Sequence, residues 1–459
     1  MYRIEDIEKI KANLNKIQDD AAHEYKLNNE PNLKEIGEVY SAIKNYIKKN
    51  KKIVYGGFAL NLLLIDKNPK DAFYKEVNGA FFNWPDIADI EFYSPTPIQD
   101  MIDMTEELYS QGFKYVEGAE AAHPETYKIF INFINYCDIS YMPTYIYNNL
   151  PYIETNGIRC IHPHFMMVDS YRILTDPMTS YWRLDKPLTR FPKILKYYPL
   201  TSYHKIEITN NSNIIECMNF IRRKIIKKSN LIVVGFNAYN YYVRKESINN
   251  VIKEEPFIEA ISTNFEKDAN HIYKHLNHKF KDMITTKEFS PFITFMDKRV
   301  EYYYKNTLVF RLYGNNQRCT VYRYSDKKKI HFGTYNLVFM HMLFSYYYAY
   351  INRDKINTNL YLALLYNMYT IKNKYLTAHN ITVVDNSPFQ DFTMKCYGVP
   401  VDSLRESRLD GAKNKTKKFR YHPSGKPGKA PEFMFSNTSG NQILNKKYLV
   451  IKNNSKNNI

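Results

Sequence analysis

Asp89 and Glu91 are separated by a single residue in the segment ADIEFYS. On a strand, residues i and i+2 share a face. The DIE triplet therefore projects two carboxylates side by side while Ile90 turns to the core. Like charges so close repel unless a cation lies between them, and hard oxygen ligands favour a divalent ion, Mg²⁺ or Mn²⁺. A third carboxylate, Asp138, sits inside the apolar run YKIFINFINYCDISYM, where a charge is costly unless it is paired or ligated. If its strand lies beside the DIE strand, three carboxylates converge and can hold two ions. Two ions about 4 Å apart activate an attacking hydroxyl and stabilise a leaving oxygen in an in-line phosphoryl transfer. Asp86 is a rival, but its spacing of three from Asp89 puts it on the opposite face of one continuous strand.

The elements that must position these groups are legible around them. KEIGEVYSAIKNYIKKN (34–50) carries apolar residues at helical spacing. The strand KIVY, the pair Gly56-Gly57 and the apolar segment FALNLLLI then read as strand, tight turn and helix. A glycine pair there lets backbone N–H groups approach a triphosphate, with the positive helix end behind them. Asp89 to Tyr93 reads as a strand, followed by a helix through IQDMIDMTEELYSQ. The aromatic and β-branched run containing Asp138 reads as one or two strands broken near Asn135. Residues 163–175 are helical in pattern, and the proline-punctuated stretch Pro177 to Pro199 reads as a linker or irregular connection.

An internal repeat organises the chain. IKKNKKIVYGGFALN (47–61) and IKKSNLIVVGFNAYN (226–240) share eight of fifteen positions at an offset of 179, and DIEFYS (89–94) is echoed by FIEAIS (257–262). Two tandem domains of one α+β fold follow, a mixed sheet flanked by helices in each. Residues 1–200 form an N-terminal helical segment and the first domain, residues 201–385 the second, and residues 386–459 a basic C-terminal segment. In the second copy Gly57 is matched by Phe236, Asp89 by Phe257, and Asp138 by Phe310 or Arg311; only Glu259 survives. That copy reads as a scaffold and RNA platform without a metal site.

The series YGGFALN…DIEFYS…CDISYMP resembles the nucleotidyltransferase superfamily of the DNA polymerase β type. More closely, it resembles the poly(A) polymerase catalytic subunits of large DNA viruses (poxvirus, asfarvirus and giant-virus types). The resemblance covers residues 30–200 well, and the second copy is similar to the inactive nucleotidyltransferase-like domain of those enzymes. It implies template-independent transfer of AMP from ATP to the 3′-hydroxyl of mRNA, with pyrophosphate release. By the same match Gly56 and Gly57 contact the nucleotide phosphates, Asp89 and Glu91 bind both catalytic metals, and Asp138 binds the metal that activates the 3′-hydroxyl. The departure is Glu91, where the superfamily's second position is typically Asp. The resemblance places the chain inside the cell, in the host cytoplasm or the virion, and leaves open a homodimer or a viral processivity partner. Two alternatives stay open: another RNA nucleotidyltransferase (CCA-adding, uridylyl-adding or oligoadenylate-forming), and a non-catalytic RNA-binding subunit.

The remaining observations bound these readings. The chain has 459 residues and a formal net charge of +17, which points to polyanionic partners. Residues 405–459 carry 13 Lys and Arg against Glu406, Asp410 and Glu432, so the surplus is concentrated in an exposed tail where Lys413, Lys415, Lys417, Lys418 and Arg420 are candidate RNA contacts. Arg183 and Lys186, with Arg190 and Lys193 nearby, are candidates for the triphosphate or the RNA backbone. His162-Pro163-His164 has no third ligand close by and reads as a helix start. GKPGK lacks the spacing of a phosphate loop. Five scattered cysteines without a CxxC pair predict neither a disulfide framework nor a structural zinc. The charged start excludes a signal peptide, and the apolar run Leu337 to Ile351 falls short of a membrane span of ~20 residues. The 42 tyrosines could stack on bases, but a coding bias toward Lys, Asn, Ile and Tyr accounts for them more simply.

Overall fold

A computed structural model describes residues 2–83, 86–122, 125–201, 214–246, 250–292, 298–315, 318–402, 405, 406, 408, 409, 418–426, 428, 450 and 451. The chain divides into two compact units, Met1–Pro163 with Ser403–Phe435, and His164–Asp402 with Ser436–Ile459. Each is built on an eight-stranded mixed sheet.

In the first unit the strand order is Arg420–Tyr421, Glu117–Glu120, Thr126–Ile131, Ile134–Tyr141, Ile90–Ser94, Ile53–Tyr55, Ile158–Ile161 and Tyr152–Thr155. The second unit repeats seven of these positions with Ile284–Phe289, Arg299–Tyr304, Thr307–Gly314, Ile258–Ser262, Ile232–Val234, Ile330–Gly333 and Thr320–Ser325. Its eighth strand, Cys396–Tyr397, joins at the opposite edge. The central pairings match in sense as well as order: Ile90–Ser94 runs parallel to Ile134–Tyr141, and Ile258–Ser262 parallel to Thr307–Gly314.

Local chemistry is repeated too. Ser94 and Ser262 end their strands by capping the next backbone turn, accepting from the N–H of Thr96 and of Asn264 at 2.9 Å in both units, while each hydroxyl donates to an aspartate, Asp100 or Asp268. Asn61 and Asn240, 179 residues apart, both sit buried on the helix after the glycine turn. Asn61 Oδ1 accepts from Phe73 N and Tyr74 N, and Asn240 Oδ1 from Ile252 N. In each unit a buried amide oxygen that accepts from loop N–H groups pins the connection leading to the Ile90–Ser94 or Ile258–Ser262 strand.

Several expectations are corrected. Asp86 does not share the Asp89 strand; it lies in Asp86–Ile87, part of a separate three-stranded sheet. The break near Asn135 is a hairpin turn at Asn132 and Phe133, both with positive φ (46° and 64°), the geometry that matches the twist of two-residue hairpins. The proline-rich stretch is helical at Pro177–Ser180 and Asp185–Tyr197. Pro187 falls in the first turn, where a missing N–H costs nothing. Cys319 and Cys396 form a disulfide, which ties the Cys396–Tyr397 strand to its neighbour; sequence spacing carried no sign of it. The segment after Ser387 is not wholly exposed either: Ser387, Phe389 and Ile451 are buried. Isolated anchor residues dock it without any periodicity to announce them.

Seven tyrosines stand among the largest fully buried side chains, so tyrosine serves here as core filler. The apolar run forms the helix Tyr335–Ile351, buried on nearly all sides and packed on Lys355–Ala378. Among the described residues no helix is long and apolar enough to cross a membrane.

Candidate active site

The glycine turn and the DIE strand meet directly. Ile53–Tyr55 pairs antiparallel with Ile90–Ser94, with Tyr55 opposite Glu91. Gly56 then takes φ +69°, the left-handed region that favours glycine, and the helix Gly56–Lys67 begins. A Cβ on Gly56 would overlap the Glu91 carboxylate. The absent side chain lets Glu91 Oε2 reach the helix N-terminus, where it accepts from Gly57 N at 3.1 Å. A negative group is favoured there by the helix dipole.

On the other side of the DIE strand, the parallel register sets Glu91 opposite Asp138 and Tyr93 opposite Ser140. Asp89 is exposed and immediately precedes the strand, which begins at Ile90. Its position is set from behind by the buried Tyr40, whose hydroxyl donates to the Ala88 carbonyl. The Cys137 thiol lies beneath the group. Burial pushes its pKa up, and Asp138, Asp89 and Glu91 each push it further, so all three carboxylates act on one buried point.

Asp138 itself is engaged. Lys128, its neighbour across the hairpin, donates to Oδ1 at 2.8 Å and Oδ2 at 3.0 Å, and Asn135 Nδ2 donates to Oδ1 at 2.9 Å. Among the described residues no three His, Cys, Asp or Glu side chains stand close enough together to hold an ion. Glu91 and Asp138, opposite each other in register, are hard oxygen donors of the kind a divalent cation takes, whereas Asp89 stands just before the strand. Glu91 is held by the Gly57 amide and Asp138 by the Lys128 ammonium. Lys128 is a residue that sequence reasoning missed; its signal was a lysine on an otherwise apolar strand one hairpin before Asp138. Tyr55 was missed as well. Its ring stacks on Tyr93 at 4.0 Å and its hydroxyl lies 2.7 Å from Ser140 Oγ, closing the floor of the site.

The other candidates are placed as follows. Arg183 ends a short turn, Tyr181–Arg183, and Lys186 lies in the first turn of Asp185–Tyr197; both belong to the second unit. Lys413, Lys415 and Lys417 lie outside the described residues. Lys418 Nζ donates to the Ala121 carbonyl at 2.7 Å, and Arg420 pairs with Glu117 at 2.7 Å beside the added edge strand. His164 Nε2 lies 2.7 Å from the Tyr198 carbonyl at the start of its helix.

The second unit preserves the frame and inverts the charge. Gly235 has φ +60° and again leaves room only for a carboxylate, that of Glu259. The register sets Glu259 opposite Arg311, and Arg311 opposite Glu301. The Lys128–Asp138 pair of the first unit is thus Glu301–Arg311 in the second. Arg311 Nη1 lies 3.3 Å from Glu259 Oε1 and its Nε 2.8 Å from Glu301 Oε1, while Tyr313 Oη donates to Glu259 at 3.0 Å. Burial pushes the Glu301 carboxyl up, but Arg311 and Arg299 outweigh it and hold it below its ordinary value. Of the two residues that could replace Asp138 it is Arg311 that does, so a guanidinium ion-paired with Glu259 stands where the first unit has a carboxylate.

Comparison with known proteins gives the chain its family. Residues 41–180 match the family "Poly(A) polymerase catalytic subunit". Residues 192–453 match "APMV, Putative poly(A) polymerase, catalytic subunit, C-terminal". The "Putative poly(A) polymerase catalytic subunit" of Acanthamoeba polyphaga mimivirus is 31% identical over 483 residues, covering 94% of this chain and 81% of that protein. The chain belongs to the poly(A) polymerase catalytic subunit family. The African swine fever virus (strain Badajoz 1971 Vero-adapted) protein of the same description is 29% identical over 177 residues, 37% of this chain and 35% of that one. The fold superimposes on the crystal structure of the Megavirus polyadenylate synthase with a TM-score of 0.90 at 31% identity, covering 98% of this chain and 94% of that one. The family's activity, polyadenylation by a transferase, is that of this chain, and its two sheets are two nucleotidyltransferase-like domains, the second degenerate.

Proposed function

We propose that the first unit transfers AMP from ATP to the 3′-hydroxyl of an RNA, using Asp89, Glu91 and Asp138 as its acidic centre. The observation that carries this reading is the parallel register that sets Glu91 opposite Asp138, with the Gly56 turn against Glu91. Mg²⁺ or Mn²⁺ ions, when bound by these three carboxylates, supply Lewis-acid activation of the attacking hydroxyl and charge neutralisation on the leaving oxygen. The chain's own groups do the positioning. Gly56 and Gly57 are assigned to the nucleotide phosphates at the N-terminus of Gly56–Lys67; the Glu91 carboxylate holds the Gly57 amide there, so the triphosphate lies beside it or displaces it. The new bond joins the RNA O3′ to the α-phosphorus, the bond from that phosphorus to the β-phosphate oxygen breaks, and pyrophosphate leaves. Arg183 and Lys186 are assigned to the nucleotide phosphates, and the basic segment through Lys413, Lys415, Lys417, Lys418 and Arg420 to the RNA backbone. The enzyme acts in the host cytoplasm or virion of a large DNA virus, with a homodimer or a processivity partner as its assembly.

Extension of a labelled RNA primer with each nucleoside triphosphate in turn tests the reading. ATP alone should support long products, and Asp138→Asn should lower the rate by about 10³-fold or more, as loss of a preorganised electrostatic group does. Extension with CTP or UTP in preference to ATP would assign a different nucleotidyltransferase activity.

A further inference from the structure

The second unit contains a cavity of about 410 Å³ that the degenerate site does not use. Val233 and Ile258 line it, and both adjoin residues of the glycine-turn frame, Val234 and Glu259. Successive strand residues face opposite ways, so the cavity opens on the sheet face away from Glu259 and Arg311. Six cations reach it from three segments: Arg222, Arg223 and Lys227 from the helical stretch before the Ile232–Val234 strand, Arg244 from the end of the helix Gly235–Val243, and Lys327 and Lys328 from the hairpin before Ile330–Gly333. Glu255 is the one carboxylate in the lining, and it is already engaged, by Arg222 at 2.7 Å and by Asn240 Nδ2 at 2.8 Å. Among the described residues none of the other five cations forms an ion pair.

So many unpaired cations in one concavity repel one another. The Lys328 ammonium is pushed below its ordinary pKa by burial first and then by Arg244; Glu255 opposes this, and Lys245 and Lys327 add to it. Beneath these cations Phe332 is buried, stacked on Tyr241 at 4.4 Å with the Lys328 ammonium 5.5 Å from its ring centre. The charge runs on past the cavity through the exposed Lys224, Lys228, Lys245 and Lys329, farther than a single small anion would need.

We infer that this pocket binds the backbone phosphates of a single RNA strand, on the face of the second unit's sheet opposite Glu259 and Arg311. A positively charged groove that tracks the backbone phosphates holds single strands without sequence preference. The inference rests on RNA being the substrate of the first unit. A free nucleoside triphosphate offers the same phosphate chemistry, and the test separates the two sources.

The test combines Arg223→Ser, Lys227→Ser and Lys327→Ser, three exposed side chains, in the full chain. Binding of a fluorescent 30-nucleotide RNA is measured between about 50 and 200 mM salt, and ATP binding alongside. Every cation removed from an RNA phosphate should flatten the log–log salt slope by about 0.7, so the triple variant should bind RNA more weakly with a slope shallower by about 2. ATP binding should be unchanged. An unaltered RNA affinity and slope overturn the inference, and so does a loss confined to ATP. Because binding is read without turnover, a wild-type chain that holds RNA but never extends it would instead count against the polymerase reading.

Discussion

Gly56 and Gly235 occupy equivalent turns, at φ +69° and +60°, and at each a Cβ would collide with a glutamate carboxylate. Replacing either with alanine should destabilise its unit, and the structure orders the two effects. The left-handed backbone alone costs an alanine ~1–2 kcal/mol. At Gly56 the displaced partner is Glu91, half-buried, which can swing toward solvent at the loss of one charge-assisted hydrogen bond to Gly57; the sum is about 2–4 kcal/mol. At Gly235 the partner is Glu259, fully buried and locked against Arg311 and Tyr313. Moving it disrupts a buried ion pair, for which breaking costs ~3–5 kcal/mol, so the total reaches about 4–7 kcal/mol. The catalytically silent glycine should therefore be the more damaging one to replace. Hydrogen exchange resolved peptide by peptide reads the stability of each unit separately, which a single unfolding midpoint would not. Primer extension at a temperature where both variants are folded should show Gly56→Ala impaired by ten-fold or more and Gly235→Ala near wild type, the ten-fold figure corresponding to ~1.4 kcal/mol of lost transition-state stabilisation. An equal or smaller loss of protection for Gly235→Ala would refute the reasoning.

Arg311→Met leaves Glu259 and Glu301 buried without their shared cation and should cost ~3–5 kcal/mol, part of which Glu259→Gln should restore in the double variant; thermal melts of the three proteins check this. His341 is fully buried on the helix Tyr335–Ile351, and burial lowers its pKa to about 4 despite the nearby Glu259. The unfolded chain takes up that proton near 6.5, so the second unit should lose stability as pH falls from about 6.5 toward 4, by roughly 3 kcal/mol at most. Denaturation across that pH range should show the loss, and His341→Leu should flatten the slope. The Cys319–Cys396 bridge spans a sequence separation of 77 residues, for which the chain-entropy account gives ~4 kcal/mol. Alkylation of the denatured, unreduced protein should find three thiols, those of Cys137, Cys160 and Cys217; five would remove the bridge from the account.

What sequence reasoning reached was the part encoded in short, contiguous patterns. Gly56-Gly57, the DIE triplet and the repeat at an offset of 179 announced the turn, the carboxylate strand and the duplication, because each rests on backbone sterics or strand alternation. The relation of Asp138 to Glu91 could only be posed as a condition, since strand neighbours are settled by sheet order, and that order becomes visible in the parallel register. The charge-inverted pair is a matter of cross-strand register between Lys128–Asp138 and Glu301–Arg311; without it, Phe310 and Arg311 were equal candidates. The C-terminal segment reads as wholly exposed in sequence, yet its described residues include anchors. Tyr421 donates to Glu106, and the Val450 and Ile451 amides donate to Glu288 at 2.8 Å. Such anchors leave no period to detect.

The central claim is that Asp89, Glu91 and Asp138 of the first unit, and no group of the second, carry AMP transfer to RNA. Its most direct measurement is extension of an RNA primer with ATP and Mg²⁺ or Mn²⁺ by the purified chain, with pyrophosphate counted against AMP added. The account predicts one pyrophosphate per residue incorporated. It also predicts that Asp89→Ala and Asp138→Asn abolish both signals while RNA binding persists, and that the conservative Glu259→Gln leaves both in place. Wild-type rates from either first-unit variant, or loss of chemistry from Glu259→Gln with the fold intact, would contradict it.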